Sequence, residues 1–465
     1  MKRSLLSRAG GLALALAALG SGCGGEKNVS TTAGSKASAS STTEAKPAQS
    51  SSAAPSGSTS ASAVASASTA PEAGRPEEMN VLVLSIDALR ADRMEWAGHN
   101  PEVLPTLNAF EKTSVSYTHF YSISSFTAQT LGGFLGCRYP SELKRNGNFF
   151  AVYPQEELLF PELLQKAGIR TMSAHGHFYF WKEKAGFYQG FDIYDILPGV
   201  KKNNTTDESI TSPAHTEVIL KHLSDTANTK GRFFAWYHLL DAHDQYKGHP
   251  EGKSFGKGAA NMYDGELYFV DMHIKKILDY VDSQEWGKRT VVIITSDHGE
   301  AFGEHGMYRH GFELWENLIH VPLMIRAPGG KPRRIDATRS MIDLCPTILD
   351  TFHVEPDPAF HGTSLWPEIE GGEATSRDVI ADLARTSDND RRRVFIRGDF
   401  KLIELGDADG YQLFNIKDDP EEKNDLARKN PDKLDELKKG LKDAGVKDIC
   451  PSGGKLKLKK KNRPC

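Results

Sequence analysis

At 465 residues the chain is long enough for one large α/β domain and a smaller second one. Its 57 Lys and Arg stand against 61 Asp and Glu, and the formal net charge of −4 argues against a nucleic-acid partner. Five cysteines are too few for a disulfide scaffold.

Lys2, Arg3 and Arg8 precede an Ala/Leu stretch from Gly11 to Leu19 and a run of small residues to Cys23. That is the pattern of a secretory signal over residues 1–23. The stretch ending in Gly-Ser-Gly-Cys resembles a bacterial lipoprotein signal, which implies a lipid on Cys23. Gly20 stands where such signals usually carry Leu, so a cleaved signal with an incidental cysteine is the other reading. Residues 24–78 are almost wholly Ser, Ala, Thr, Gly, Pro, Lys and Glu. Such a segment lacks the apolar surface that offsets ordering entropy, which predicts a disordered tether. The expected location is periplasmic or at the outer-membrane or cell surface, with contact to a membrane through a lipid anchor only.

A folded region is expected over residues 79–370. Val81 to Leu84 reads as a buried strand ending at Asp87, and Thr106 to Thr113 as a helix. Phe126-Thr127-Ala128-Gln129-Thr130 opens a helix-like run to Leu135. Thr127 would then lie at a helix N-terminus, where free N–H groups and the dipole favour an anion. Pro161 to Ala167 is a short helix, and Gly168 to Ala174 a strand followed by His175-Gly176-His177. Phe233 to Leu240 is an apolar strand that runs into Asp241-Ala242-His243. Tyr263 to Val281 has helical spacing. Thr290 to Ile294 is a β-branched run that ends in Asp297-His298-Gly299, and Val321 to Ile325 is another core strand. His305 and His310 lie in the glycine-punctuated loop between those two strands. Strands that alternate with helices and end in Asp or His predict an α/β fold: a large, mostly parallel, doubly wound sheet with one site along its carboxyl edge.

Arg339 to Phe352 looks helical. Over 371–445 the pattern changes to short runs (379–382, 394–397, 401–405 and 412–416) and a charged amphipathic helix, Asp432 to Lys442. This predicts a smaller C-terminal subdomain with an antiparallel sheet. Residues 446–465 form a basic tail, read as a solvated terminus. Cys450 and Cys465 bracket its lysines and are able to pair in an oxidising compartment, although spacing alone does not give connectivity.

From about residue 79 to 440 the chain resembles the sulfatase family of the alkaline phosphatase superfamily. The resemblance rests on VLSIDALRAD (83–92), FTAQTLGGFLGCRYPSE (126–142), FFAWYHLLDAHDQY (233–246), TSDHGEAFGEHG (295–306), HGFELWENLIHVPLMIRAP (310–328) and YQLFNIKDDPEEKNDL (411–426), in family order and spacing. It implies a central mixed sheet sandwiched by helices, with a smaller C-terminal sheet. It also implies that Asp87, Asp297 and His298, with Thr127 beside them, hold one divalent cation. Carboxylates admit Ca²⁺, Mg²⁺ or Mn²⁺, and the imidazole tilts the choice to Mn²⁺ or Zn²⁺. His243 and His310 match histidines that contact the ester or its leaving oxygen. His177 falls near a substrate-binding segment but out of register, and His305 is expected to stabilise its loop.

Two departures shape the expected chemistry. The family's formylglycine arises from a Cys or Ser in Cys/Ser-x-Pro-x-Arg, and that place is taken by Thr127-Ala128-Gln129-Thr130-Leu131. Threonine cannot become that aldehyde, so no formylglycine is expected and Thr127 itself is the candidate nucleophile. Ala88 stands where many relatives carry a second metal-binding Asp. The expected activity is therefore hydrolysis of a small anionic ester, or of a sulfated or phosphorylated glycan or lipid. The alternatives are phospho-group transfer in the cell envelope and a degenerate, anion-binding surface protein.

Overall fold

The computed structural model describes residues 75–201, 211–406 and 410–452. The expected signal, nearly all of the expected tether, Cys23, Cys465 and the lysines from Lys455 to Lys461 lie outside these residues, and so does the expected Cys450–Cys465 pairing.

The strands in chain order are β1 (Asn80–Ile86), β2 (Val115–Tyr121), β3 (Arg170–His175), β4 (Ile193–Ile196), β5 (Phe233–Leu239) and β6 (Thr290–Ser296). They continue with β7 (Ala301–Phe302), β8 (Tyr308–Arg309), β9 (His320–Arg326), β10 (Arg333–Ile335) and β11 (Arg339–Ser340). The large sheet has the order β10-β2-β9-β6-β1-β5-β3-β4, with β11 also on β2. Among these pairings only those made by β9, with β2 and β6, are antiparallel, so the sheet is mixed but mostly parallel. β7 and β8 form a two-residue hairpin off the sheet.

Successive side chains of a strand point to opposite faces, and this chain uses both faces for burial. Val81, Val83, Val291 and Ile293 join a core that includes Ala128 and Leu131 of the helix Thr127–Gly136 and Ile348 of the helix Leu344–Thr351. Their neighbours Leu82, Leu84, Val292 and Ile294 join a second core. It is shared with the helices Pro105–Glu111, Ser212–Ser224 and Ala259–Ser283. The continuous apolar runs seen in the sequence are thus strands between two helical layers.

β12 (Val379–Leu383), β13 (Arg392–Arg397), β14 (Phe400–Leu405) and β15 (Gly410–Asn415) form the expected antiparallel sheet. Leu437 and Leu441 of the helix Pro431–Asp443 cover one of its faces. The other face adds Val379, Ala381, Val394 and Ile403 to the first core of the large sheet. The two sheets meet at the helix that begins with Thr127. The Gln129 amide donates to Ala384 O at 2.9 Å and accepts from Ala384 N at 2.7 Å.

The helix Thr127–Gly136 is buried from Ala128 to its end. A Cβ on Gly132 would lie 2.3 Å from the ring of Tyr153, whose hydroxyl donates to Ala128 O at 2.9 Å. Gly132 therefore lets the helix seat closely against Tyr153. Cys137 caps the helix in a left-handed conformation and is disulfide-bonded to Cys345. One expectation needs adjustment. Arg339 and Ser340 extend the sheet, so the helix starts at Leu344 rather than Arg339. β2 and the helix Ser212–Ser224 were not read from the sequence.

Candidate active site

β1 and β6 are parallel neighbours in the register Ser85↔Thr295 and Ile86↔Ser296. Asp87 and Asp297 follow at matched positions, so the topology brings two carboxylates side by side at the centre of the sheet's carboxyl edge. Ala88 then turns the chain with φ 59°, a left-handed conformation that costs a non-glycine residue roughly 1–2 kcal/mol. The turn directs Ala88 N to Asp297 Oδ1 at 3.2 Å, and Ala88 O accepts from Tyr263 OH at 2.7 Å.

Asp87, Asp297 and His298 are fully buried, with one ligand atom of each within 4.8 Å of the others. Asp87 Oδ1 and Asp297 Oδ2 have no hydrogen-bond partner. Burying carboxylate oxygens unsatisfied is costly, and a cation resolves that cost. His298 Nδ1 donates to Gly299 O at 2.9 Å, which leaves the lone pair at Nε2. Nε2 lies 3.3 Å from Asp297 Oδ2 and 3.9 Å from Asp87 Oδ1. Two orphaned oxygens and an imidazole lone pair are a donor set that fits a divalent cation.

Thr127 Oγ1 lies 2.9 Å from His298 Nε2, at the first position of its helix. His310 is buried, with its ring 4.0 Å from that of His298. Its Nδ1 lies 3.3 Å from Glu300 Oε1, so Nε2 is the nitrogen available to a ligand in the cavity. Glu300 is fixed in turn by Tyr246 OH at 3.0 Å and by Ala301 N at 3.1 Å. The His243 ring lies 5.0 Å from that of His310, and its Nδ1 donates to Asp244 O at 2.7 Å. His177 lines the same cavity, its Nδ1 accepting from Tyr179 N at 3.2 Å. All seven candidate residues therefore surround one place. His305 instead stacks on Trp315 with ring centroids 3.9 Å apart, the loop role expected of it.

The electrostatics follow from burial against charge. Burial works against ionisation of Asp87, but His243, the hydrogen bond from His238 and His298 outweigh it and hold the carboxyl well below the usual range. Burial lowers His298, partly offset by Asp297. Burial opposes protonation of His310 as well, but Glu300, then Asp87 and Asp297, raise it to about 9.

The cavity above the cluster is about 360 Å³. Eight of its seventeen lining residues are Phe or Tyr, and Arg309 is the single Arg or Lys among them. Arg309 is paired with Asp244 at 2.8 Å. Phe126 and Phe149 lie 4.1 Å apart, and Phe149 stacks on Phe312 at 5.5 Å. Phe150, Phe312 and Tyr308 at the mouth are 37%, 45% and 67% exposed. Sequence reading missed this wall because its rings come from four separate stretches of the chain. It also missed Glu300, and His238, whose signal was a histidine inside an otherwise apolar strand.

The family model described as Sulfatase matches residues 79–354, and one described as N-sulphoglucosamine sulphohydrolase, C-terminal, matches residues 303–447. The uncharacterized sulfatase YidJ of Escherichia coli (strain K12) is 30% identical over 181 residues, 36% of this chain and 35% of that protein. An arylsulfatase of Clostridium perfringens is 28% identical over 194 residues, 40% of each. The aligned stretches span less than half of these relatives' length. The phosphonate monoester hydrolase of Agrobacterium radiobacter shares the fold, with a TM-score of 0.62 at 18% identity over 78% of this chain and 95% of that one.

Proposed function

The chain belongs to the sulfatase family, and we propose that it is an exported, metal-dependent hydrolase of sulfate or phosphate esters in which the Thr127 hydroxyl is the nucleophile. The observation that carries this reading is the approach of Thr127 Oγ1 to His298 Nε2 beside two buried, unpartnered carboxylate oxygens. A divalent cation on Asp87, Asp297 and His298 supplies a lowered hydroxyl pKa and neutralisation of the ester's charge.

Thr127 Oγ1, its proton already lost, forms a bond to phosphorus or sulfur while the bond from that atom to the alcohol oxygen breaks. His310 Nε2 is placed to hand a proton to the departing oxygen, with His243 beside it. Water then attacks the same atom and gives a proton to the now neutral His310 as the bond to Oγ1 breaks, and the Thr127 oxygen takes back from solvent the proton it released there. Sulfate release by collapse of a formylglycine hemiacetal is closed to threonine. A sulfo-threonine needs a second attack at sulfur, so phosphate esters are the better chemical match. The cavity suits an ester with one charged head and an apolar alcohol. Ring faces dominate its wall, and its single Arg is already paired.

Export rests on the signal-like N-terminus and draws support from the Cys137–Cys345 disulfide, a bond that persists in oxidising compartments. The deciding experiment assays the purified protein against aryl sulfates, phosphate mono- and diesters and phosphonates with each divalent ion. Metal-dependent turnover and a phospho- or sulfo-adduct on Thr127 by mass spectrometry are expected. Full activity in Thr127→Ala would overturn the nucleophile, and tight anion binding without turnover would make the protein a binder.

A further inference from the structure

Asp87 presents two oxygens to different partners. Oδ1 is the unpartnered atom that faces His298, whereas Oδ2 lies 3.1 Å from Nε2 of His238. His238 is fully buried on β5, beside β1 in the register Ser85↔His238, so both side chains stand on one face of the sheet, below Asp87. Its Nδ1 lies 3.0 Å from Ser85 Oγ, and the same oxygen accepts the indole N–H of Trp236 at 3.0 Å.

The chain of bonds has a fixed direction. An indole nitrogen only donates, so Ser85 Oγ accepts from Trp236. The hydroxyl proton of Ser85 then has His238 Nδ1 at 3.0 Å, against a competing carbonyl, Tyr237 O, at 3.5 Å. A neutral imidazole that accepts at Nδ1 carries its proton at Nε2, and a protonated imidazole carries one at both nitrogens. In either state the hydrogen at Nε2 faces Asp87 Oδ2. A nitrogen that donates to a carboxylate has no lone pair to give to a cation.

We propose that His238 is a positioning residue of the cation site: the relay Trp236–Ser85–His238 pins Asp87 Oδ2 and thereby turns Oδ1 towards the ion. This rests on the reading of Asp87, Asp297 and His298 as a cation site and adds a residue that the cluster itself does not contain. Groups that orient a ligand are typically worth about 10–100-fold in metal affinity.

The test uses the full-length protein, stripped of metal, with Mn²⁺ as the probe. Binding is followed by calorimetry and by the electron paramagnetic resonance of free Mn²⁺. His238→Ala is expected to weaken Mn²⁺ binding about 10–100-fold, and His238→Gln, which keeps a donor, to recover most of the loss. Ser85→Ala, which leaves Asp87 and His238 in place, is expected to weaken binding in the same direction by less. It serves as the readout if His238→Ala does not fold. The fold-loss in affinity is to be larger than any change in the melting temperature of the metal-free proteins accounts for. Unaltered affinity in the His238 and Ser85 variants overturns the proposal alone. Loss in His238→Ala with no recovery in His238→Gln overturns it in favour of direct ligation. No Mn²⁺ binding by the unmutated protein overturns the cation site as well.

Discussion

Thr127 Oγ1 lies 2.9 Å from His298 Nε2, the nitrogen whose lone pair is exposed because Nδ1 donates to the Gly299 carbonyl. A hydroxyl held at a helix N-terminus, beside the nitrogen and carboxylates that would hold a cation, is placed for that cation to lower its pKa. Thr127→Ser retains the hydroxyl and is expected to keep measurable turnover. Thr127→Ala is expected to lose at least about 10³-fold in kcat, the scale on which nucleophile deletions act. Steady-state kinetics of both variants, with substrate binding measured in parallel, checks this. A Thr127→Ser enzyme as inactive as Thr127→Ala would show that the oxygen does not do the chemistry.

The aromatic wall separates binding from chemistry. Phe150 and Phe312 stand at the mouth, and their rings contact Phe149 at 5.5 Å in edge-on and stacked geometry respectively. Neither touches the carboxylate cluster. Aromatic pairs contribute about 0.5–1.5 kcal/mol beyond area burial. Phe150→Ala and Phe312→Ala are therefore each expected to raise KM for an aryl ester by roughly 3–10-fold while kcat holds. Turnover of methyl phosphate, too small to reach the mouth, should not respond. An equal effect on both substrates would place these rings outside recognition.

How much of this was legible in the sequence follows from periodicity. A strand buried on both faces is written as an unbroken apolar run, so β1, β5, β6 and β9 could be read, and so could the Asp and His residues at their ends. β2 alternates large rings with Ser, Thr and His and carries a register shift between Tyr117 and Phe120, so no clean period marked it. His238 was hidden because its partners, Ser85 and Asp87, are about 150 residues away, and only the β1–β5 register joins them. The Cys137–Cys345 bond spans 208 positions and joins two helices on one face of the sheet, a pairing that spacing cannot encode.

That disulfide carries its own expectation. In the chain-entropy account, a cross-link closing a loop of this length stabilises the fold by about 5 kcal/mol by restricting the unfolded chain. It ties the C-cap of the helix that presents Thr127 to the helix Leu344–Thr351. Reduction, or the double variant Cys137→Ala/Cys345→Ala, should lower the melting temperature by several degrees and speed loss of activity on heating. Scanning calorimetry with and without reductant measures the first, and an unchanged midpoint would count against the bond.

Acid should draw stability from the fold through two buried histidines. His215 is completely buried, and burial lowers it to about 3, only partly offset by the bond from Nε2 to Ala174 O at 2.9 Å. His273 is lowered to about 4, chiefly by burial and then by Lys276. His215 Nδ1 and His273 Nε2 have no hydrogen-bond partner, so an added proton would find no acceptor. In the unfolded chain both imidazoles titrate near 6.5. As pH falls below that value the unfolded state takes up protons that the folded state refuses. The stability is therefore fully present above about pH 6.5 and is lost progressively towards pH 3–4. At 1.36 kcal/mol per pH unit, His215 alone removes roughly 2 kcal/mol between pH 6.5 and about pH 5. Urea midpoints measured across that interval should decline, and His215→Gln, which cannot ionise, should flatten the slope. A midpoint that holds steady to about pH 5 would show that these histidines protonate inside the fold without cost.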